Sequence, residues 1–579
     1  MNYSPIDNIK TKKLRRHWNG LSKCLRSSVL SVIIITTLIC IYFYLLHPIV
    51  TISKNGTEKN EIPSQLMKKD SSNILRPVFG DVPGVDGVIE EPSDIDTLEN
   101  SNDRSNNNYR HELIPANRNH KFSGPTTARQ KSVVKAFKHA WKGYKRFAWG
   151  HDHLKPISET YHDWFGLGLT IVDSIDTIYI MGLKEEYEEA RDWIEKHLHF
   201  DVNRDVNLFE VTIRVLGGLL SIHHFTKDTM FLTKAIDLAD RLLPCFESES
   251  GIPYSDINLS TRQSHAPKWS PDSSTSEVTT IQLEFRDLSR ITGDPKYEIA
   301  VEKVSMIIHK LEKKDGLVPI FINANTGQFR SYATITLGAR GDSYYEYLLK
   351  QWIQTGKAID YLKDDYLESI AGVEKHLLRR TVPNGLAFVG ELPGGRGELK
   401  PKMDHLTCYL PGALALGTRH GLPERHLRLA EELAATCYQT YAQQPTFLAP
   451  EITYFNLQAE KSQDMYVKSN DAHNLLRPEF IESLWYLYQI TNNSTYQDWG
   501  WRIFEAFEKY TRVVNGYTSI GNVKNTAMVR PKDMMESFFL SETLKYLYLL
   551  FSDDPKLIDL EEYVVNTEAH PLPIMYSNN

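Results

Sequence analysis

No stretch of the globular part of this 579-residue chain is rich in lysine and arginine, which leaves a nucleic-acid partner without support. Cysteine is scarce: five in all, with no Cys-x-x-Cys pair and no Cys/His spacing suited to zinc. Stretches rich in β-formers are few. Charge of neither sign dominates, since 73 acidic residues stand against 66 basic ones for a net charge of −7. Aromatics are plentiful, with 10 Trp, 30 Tyr and 23 Phe. They suit a large core, and they are compatible with a carbohydrate cleft. At this length either several domains or one large closed architecture is expected.

The front of the chain holds the one long apolar run. Residues 29–46 are interrupted only by Ser31, Thr36, Thr37 and Cys40. As a helix, 18 residues span about 27 Å, close to one hydrocarbon core. Lys10, Lys12, Lys13, Arg15, Arg16, Lys23 and Arg26 precede it, against the single acid Asp7. The positive-inside rule therefore predicts a single-pass signal-anchor in a lipid bilayer, with a cytosolic tail over 1–28 and the rest lumenal. His47-Pro48-Ile49-Val50 follows the run, unlike the small residues of a cleavage site. Cys245, Cys408 and Cys437 would then lie in an oxidising lumen, which favours one disulfide among three candidates. Asn55, Asn258, Asn492 and Asn493 begin glycosylation sequons.

Residues 47–125 read as a flexible stem, polar and without apolar periodicity. From about Ala128 a helical period sets in, first with Val133, Ala136, Phe137, Ala140 and Trp141, and persists to the end. Helices are expected at 211–224, 277–290, 342–355, 479–491 and 536–551. Their starts, with that of a further one, fall at Glu210, Glu277, Asp342, His405, Glu479 and Glu536, separated by 67, 65, 63, 74 and 57 residues. Such an interval fits a pair of helices plus connections, arranged in a line or closed into a ring. In a ring the inner-helix ends converge on one cavity. Acidic residues favour first helical turns through the helix dipole. Buried at helix starts, however, they are costly unless they bind or catalyse, and two carboxylates facing one bond are the minimum for cleaving a glycoside.

Several long segments carry a resemblance. They are Phe147-Ala148-Trp149-Gly150-His151-Asp152, Trp164-Phe165-Gly166-Leu167-Gly168-Leu169-Thr170, Asp205-Val206-Asn207-Leu208-Phe209-Glu210, Leu475-Leu476-Arg477-Pro478-Glu479 and Asn566-Thr567-Glu568-Ala569-His570-Pro571. In these the chain resembles the class I α-1,2-mannosidases, glycoside hydrolase family 47, from about Arg129 to Pro573. The resemblance implies an all-α fold over 126–579, an (α/α)7 barrel with a C-terminal plug, and is strongest to the reticulum-type members that trim N-linked high-mannose glycans. Glu210 matches the family's proposed general acid, Asp342 a second essential acid, and Glu479 the proposed general base. Residue types leave open which of Glu210 and Asp342 delivers the proton. The family inverts, which calls for carboxylates roughly 6.5–9.5 Å apart with a water between base and sugar.

The same resemblance implies Ca²⁺ at Thr567, although the chain has no EF-hand loop; a hydroxyl and a carbonyl are suitable hard ligands. Glu277, Glu482, Glu542 and Glu568 match acids around the sugar or metal-bound waters. His405 and Phe538 match cavity residues, with Phe538 as a stacking platform, and Arg214 and Arg477 flank the acids. Arg340 matches an arginine of the reticulum-type enzymes, whose fork would select one glycan branch. Cys408 and Cys437 match the family's disulfide, leaving Cys245 free. A Golgi-type enzyme with broader branch use, a lectin-like quality-control factor with weak hydrolysis, and a membrane-tethered scaffold are the rival readings.

Overall fold

The computed structural model describes residues 122–575, Trp269 apart. The expected tail, anchor and nearly all of the stem, with Cys24, Cys40 and Asn55, lie outside the described residues. Within them no helix is long and apolar enough to cross a membrane. Phe122, on the stem side of the expected boundary, packs its ring edge-on against Tyr179 and Phe225.

The first helix, Ala128–Phe147, starts where the period does, and its start has a local cause. Thr127 Oγ1 accepts from the Gln130 N–H, and Gln130 Oε1 accepts from the Thr127 N–H, a reciprocal capping box. From there outer and inner helices alternate along the chain. The inner set is Leu169–Ile180, Gly217–Thr226, Gln282–Thr292, Asp342–Gln354, Leu410–Arg419, Glu479–Thr491 and Leu544–Leu550. The outer set is Ala128–Phe147, Lys184–His197, Thr229–Leu242, Lys296–Lys310, Asp360–Gly372, Arg425–Ala442 and Thr495–Tyr510. Each inner helix packs on the next, the turn Phe539–Thr543 closes the circle against Leu169–Ile180, and Leu544–Leu550 rests on Ala128–Phe147. The described body is therefore a closed ring of seven helix pairs.

Burial separates the two sets. Every residue of Asp342–Gln354 except Asp342 is buried, whereas Lys184–His197 buries only Ala190 and Ile194. A helix enclosed on all sides belongs in the core, and one with a narrow apolar stripe belongs outside. The first inner helix opens without an acid of its own. Instead the buried Asp152 carboxylate collects the backbone N–H groups of Trp164, Phe165, Gly166, Leu167 and Leu169.

The helices are accompanied by more strand pairing than the sequence suggests, in small antiparallel sheets of two or three strands. Three of these strands end where an inner helical segment begins. Asp205–Asn207 pairs with Asp256–Asn258 and leads into Leu208–Val211. Asp272–Ser274 pairs with Phe321–Asn323 and leads into Thr275–Val278; Lys402–Asp404 pairs with Ile452–Phe455 and leads into His405–Tyr409. Pairing fixes how the chain enters each helix and hence where the first-turn side chains point.

Two expected helices differ in detail. The one expected over 277–290 breaks after Val278 and resumes at Gln282. Thr279 Oγ1 donates to Thr275 O, Thr280 Oγ1 to Ser343 Oγ, and Gln282 Oε1 takes the Ile281 N–H, so side chains compete with the helical ladder. The helix expected from Glu536 starts at Phe539, with Glu536 in the preceding turn.

The C-terminal plug is a hairpin, Tyr563–Val565 paired with Pro571–Pro573. It enters at the C-terminal ends of the inner helices, where the Met575 N–H donates to Gln354 O (2.8 Å) and Arg290 Nη1 to Pro573 O (3.2 Å). Its tip, from Asn566 to His570, reaches up the axis towards the opposite end.

Candidate active site

At that opposite end the inner helices present their N-termini around a cavity of about 290 Å³. The expected residues Glu210, Arg214, Glu277, Arg340, Asp342, Arg477, Glu479, Glu482, Phe538, Glu542, Thr567 and Glu568 all line it. His405 does not. It is buried behind the wall, with Nε2 2.7 Å from the Tyr441 hydroxyl and Nδ1 3.2 Å from Glu479 Oε2, so it meets Glu479 from behind.

Glu210 lies in Leu208–Val211, whose N-cap Asn207 accepts the Glu210 N–H at 2.9 Å. Arg214 Nε donates to Glu210 Oε2 at 2.9 Å, and Arg214 Nη1 reaches Glu568 on the plug. Asn207 Nδ2 also donates to Glu277 Oε2 (3.1 Å), and Arg340 Nη1 meets Glu277 Oε1 at 3.3 Å. Arg340 is held with φ 72° and lies over the Phe321 ring at 5.7 Å. A side chain bearing Cβ adopts that backbone region rarely, and such strain clusters at functional sites. Leu476, just before Arg477, has φ 66°. Arg477 Nε binds Glu451 at 2.8 Å while its Nη1 lies 4.0 Å from Glu479 Oε1. Phe538 has the guanidinium groups of both Arg214 and Arg477 at 5.9 Å from its ring centre.

Two features were missed in the sequence. Glu346 is one; it lines the cavity, accepts the Thr567 hydroxyl at 2.9 Å, and shares the buried Lys350 ammonium with Glu482. The i, i+4 series Asp342, Glu346, Lys350 on one helix was the available signal. The other is a π-helical turn in each of two inner helices, Thr212–Leu216 carrying Arg214 and Phe539–Thr543 carrying Glu542. Such turns are frequent at functional sites, but residue type does not announce them.

The electrostatics divide the carboxyls. Burial pushes Asp342 up, and the Glu346 and Glu479 charges add to it against the Ser343 N–H, so it stands at about 7. Burial pushes Glu479 the same way, but His405 and the Arg477 guanidinium outweigh it and hold that carboxyl below its ordinary value. One acid is thus carried up towards neutrality and the other held down, the division that acid–base catalysis needs. Burial also raises Glu277, Glu482, Glu542 and Glu568, each with a further carboxylate nearby.

A cation would relieve that crowding. Among the described residues no group of three or more His, Cys, Asp or Glu side chains is arranged to hold a metal ion. The donor set that remains is oxygen-only: Thr567 with its hydroxyl and carbonyl, and around it carboxylates able to hold water. That chemistry fits a hard ion such as calcium that keeps part of its water shell. The expected disulfide is present between Cys408 and Cys437, and Cys245 is free and buried.

Comparison with known proteins agrees with this geometry. The family model described as Glycosyl hydrolase family 47 matches residues 136–574. The "Endoplasmic reticulum mannosyl-oligosaccharide 1,2-alpha-mannosidase" of Homo sapiens is 59% identical over 449 residues, covering 77% of this chain and 64% of that protein. The chain therefore spans just under two thirds of that relative's length. The protein of the same description from Schizosaccharomyces pombe is 41% identical over 475 residues, covering 78% of this chain and 91% of that one. Among solved structures, the alpha-1,2-mannosidase from Trichoderma reesei superposes with a TM-score of 0.72 at 27% identity, covering 78% of this chain and 100% of its own. The matched segment takes in the ring from the middle of Ala128–Phe147 onward, with the cavity and the plug, and the chain belongs to glycosyl hydrolase family 47.

Proposed function

We propose that this protein is a calcium-dependent, inverting exo-α-1,2-mannosidase that trims N-linked high-mannose glycans on glycoproteins. The reading is carried by one cavity in which burial and neighbouring carboxylates raise Asp342 to about 7 while His405 and Arg477 hold Glu479 below its ordinary value. Glu479 takes a proton from the water that attacks the anomeric carbon. The glycosidic C–O bond breaks as the new C–O bond forms, and the leaving oxygen receives the proton of Asp342. Glu210, tied to Arg214, lines the cavity beside the plug and orients the sugar. Phe538, fixed by two guanidinium groups, offers a ring face to the sugar. Calcium at Thr567 would hold vicinal sugar hydroxyls.

The finer reading is removal of one terminal mannose from the nine-mannose glycan. Arg340 supports it: a guanidinium held by Glu277 and by the Phe321 face presents a fixed fork at the rim. Residence in the reticulum membrane through a type II anchor at 29–46 is proposed with it, from the apolar run and from the names of the human and fission-yeast relatives.

The test uses the full-length protein in detergent with a nine-mannose glycan, with calcium and with a chelator. Calcium-dependent release of chiefly one mannose is expected. Glu479→Gln should lower turnover by about 10²–10⁴-fold while glycan binding survives. Binding without release by the folded, calcium-loaded wild type would establish the lectin-like reading instead. Arg340→Leu should widen the set of product isomers at similar overall turnover; an unchanged isomer pattern would remove Arg340 from branch choice.

A further inference from the structure

The plug tip is anchored through a slot of its own. His570 is fully buried, and both of its ring nitrogens face carboxylates of Leu169–Ile180. Nδ1 lies 2.9 Å from Asp176 Oδ2 and Nε2 lies 3.3 Å from Asp173 Oδ1. Each ring nitrogen thus lies within hydrogen-bond reach of a carboxylate oxygen, and the imidazole is clamped between the two acids. Lys545 Nζ completes the seat, 2.9 Å from Asp176 Oδ1 and donating to Ala569 O at 2.6 Å. Asn566 ties off the tip. Its Oδ1 accepts from the N–H groups of Glu568 and His570, and its Nδ2 donates to Glu284 Oε1 and Ile213 O.

The facing helix leaves room for this seat. Gly217 and Gly218 are consecutive inside an inner helix, where each glycine costs roughly 1 kcal/mol relative to alanine. A Cβ on Gly217 would stand 2.7 Å from Asn566 Nδ2 and 3.0 Å from His570 Cδ2. A Cβ on Gly218 would stand 2.6 Å from Val172 O and 3.4 Å from His570 Cε1. Aspartates on one side and bare backbone on the other thus define a slot that the imidazole fills.

We propose that His570, seated in this slot, is a positioning residue that fixes the plug tip so that Thr567 faces the cavity, and thereby sets the affinity for calcium. The proposal rests on the reading of Thr567 as the cation-holding residue. Only Glu568 and Ala569 lie between Thr567 and His570, and the seat leaves the tip little freedom to retreat.

The experiment titrates calcium chloride into full-length wild type, His570→Gln and Gly217→Ala, following the thermal unfolding midpoint. A glutamine can reach only one of the two aspartates, and the alanine methyl pushes on the end of the Asn566 side chain. The calcium concentration giving half the maximal shift should rise about ten-fold or more in both variants. Saturating calcium should restore most of their turnover, placing the defect in affinity. A half-point equal to wild type, beneath a lower calcium-free midpoint, would mean a merely structural role and overturn the proposal. A wild type whose midpoint ignores calcium would overturn the calcium reading itself, and this inference with it. Should His570→Gln fail to fold, Gly217→Ala alone decides.

Discussion

Asp342 and Glu479 each open an inner helix and each is enclosed, yet their surroundings drive them apart. Asp342 has carboxylates for neighbours and stands at about 7; Glu479 has His405 and Arg477 and is held below its ordinary value. Turnover should therefore rise with pH as Glu479 ionises and fall again as Asp342 loses its proton near 7. Asp342→Asn should lower kcat/KM by about 10²–10⁴-fold and abolish the alkaline limb of what remains. If the limb survives there and disappears in Glu210→Gln, the proton belongs to Glu210. The candidate acids were readable as residues because a carboxylate at a helix start is conspicuous in an apolar run. Their protonation was not readable, because it comes from groups far away in the chain, as His405 is from Glu479. Glu346 went unnoticed for a related reason: only the arrival of Thr567 from the plug turns an ordinary helical glutamate into part of the site.

Among elements, the segment His405–Tyr409 links stability to chemistry. It carries His405 towards Glu479 and, through Cys408, is tied to Cys437 on the outer helix Arg425–Ala442. The bridge closes a sequence separation of 29 residues, for which loop closure contributes about 3.6 kcal/mol. The double variant Cys408→Ser/Cys437→Ser should unfold several degrees lower at fixed calcium. Its acidic limb should move up towards the ordinary glutamate range as His405 loosens. A lower midpoint with an unmoved limb would confine the bridge to stability. The helix at 479–491 was predicted to the residue, since Pro478 and a continuous apolar face delimit it. The break after Val278 and the two π-helical turns were not legible, because hydroxyl side chains and tertiary packing override a period that the sequence continues.

At the scale of the molecule, five acidic starts and His405 marked six of the ring's inner units, and the seventh escaped them because Leu169–Ile180 begins on backbone N–H groups held by the distant Asp152 instead of on an acid of its own. Closing the ring gathers Glu210, Glu277, Asp342, Glu346, Glu479, Glu482, Glu542 and Glu568 around one cavity, against Arg214, Arg340 and Arg477 on its walls. That excess of negative charge has a consequence for stability that no single helix carries. A carboxyl whose folded value is raised makes the folded state hold protons that the unfolded chain has released. Stability from such a group is present at low pH and is lost as pH rises from about 4, the unfolded value, through the folded one. Asp342 at about 7 follows this rule, and Glu482 shifts in the same direction. Without calcium the thermal midpoint should therefore fall between pH 5 and pH 8. With calcium the ionised carboxylates and their waters gain a partner, and the fall should flatten. Chelation should accordingly cost more degrees at pH 8 than at pH 5, read from unfolding curves with and without chelator at each pH. Equal losses at both would mean that the ion acts on the plug tip alone and leaves the carboxylate ring untouched.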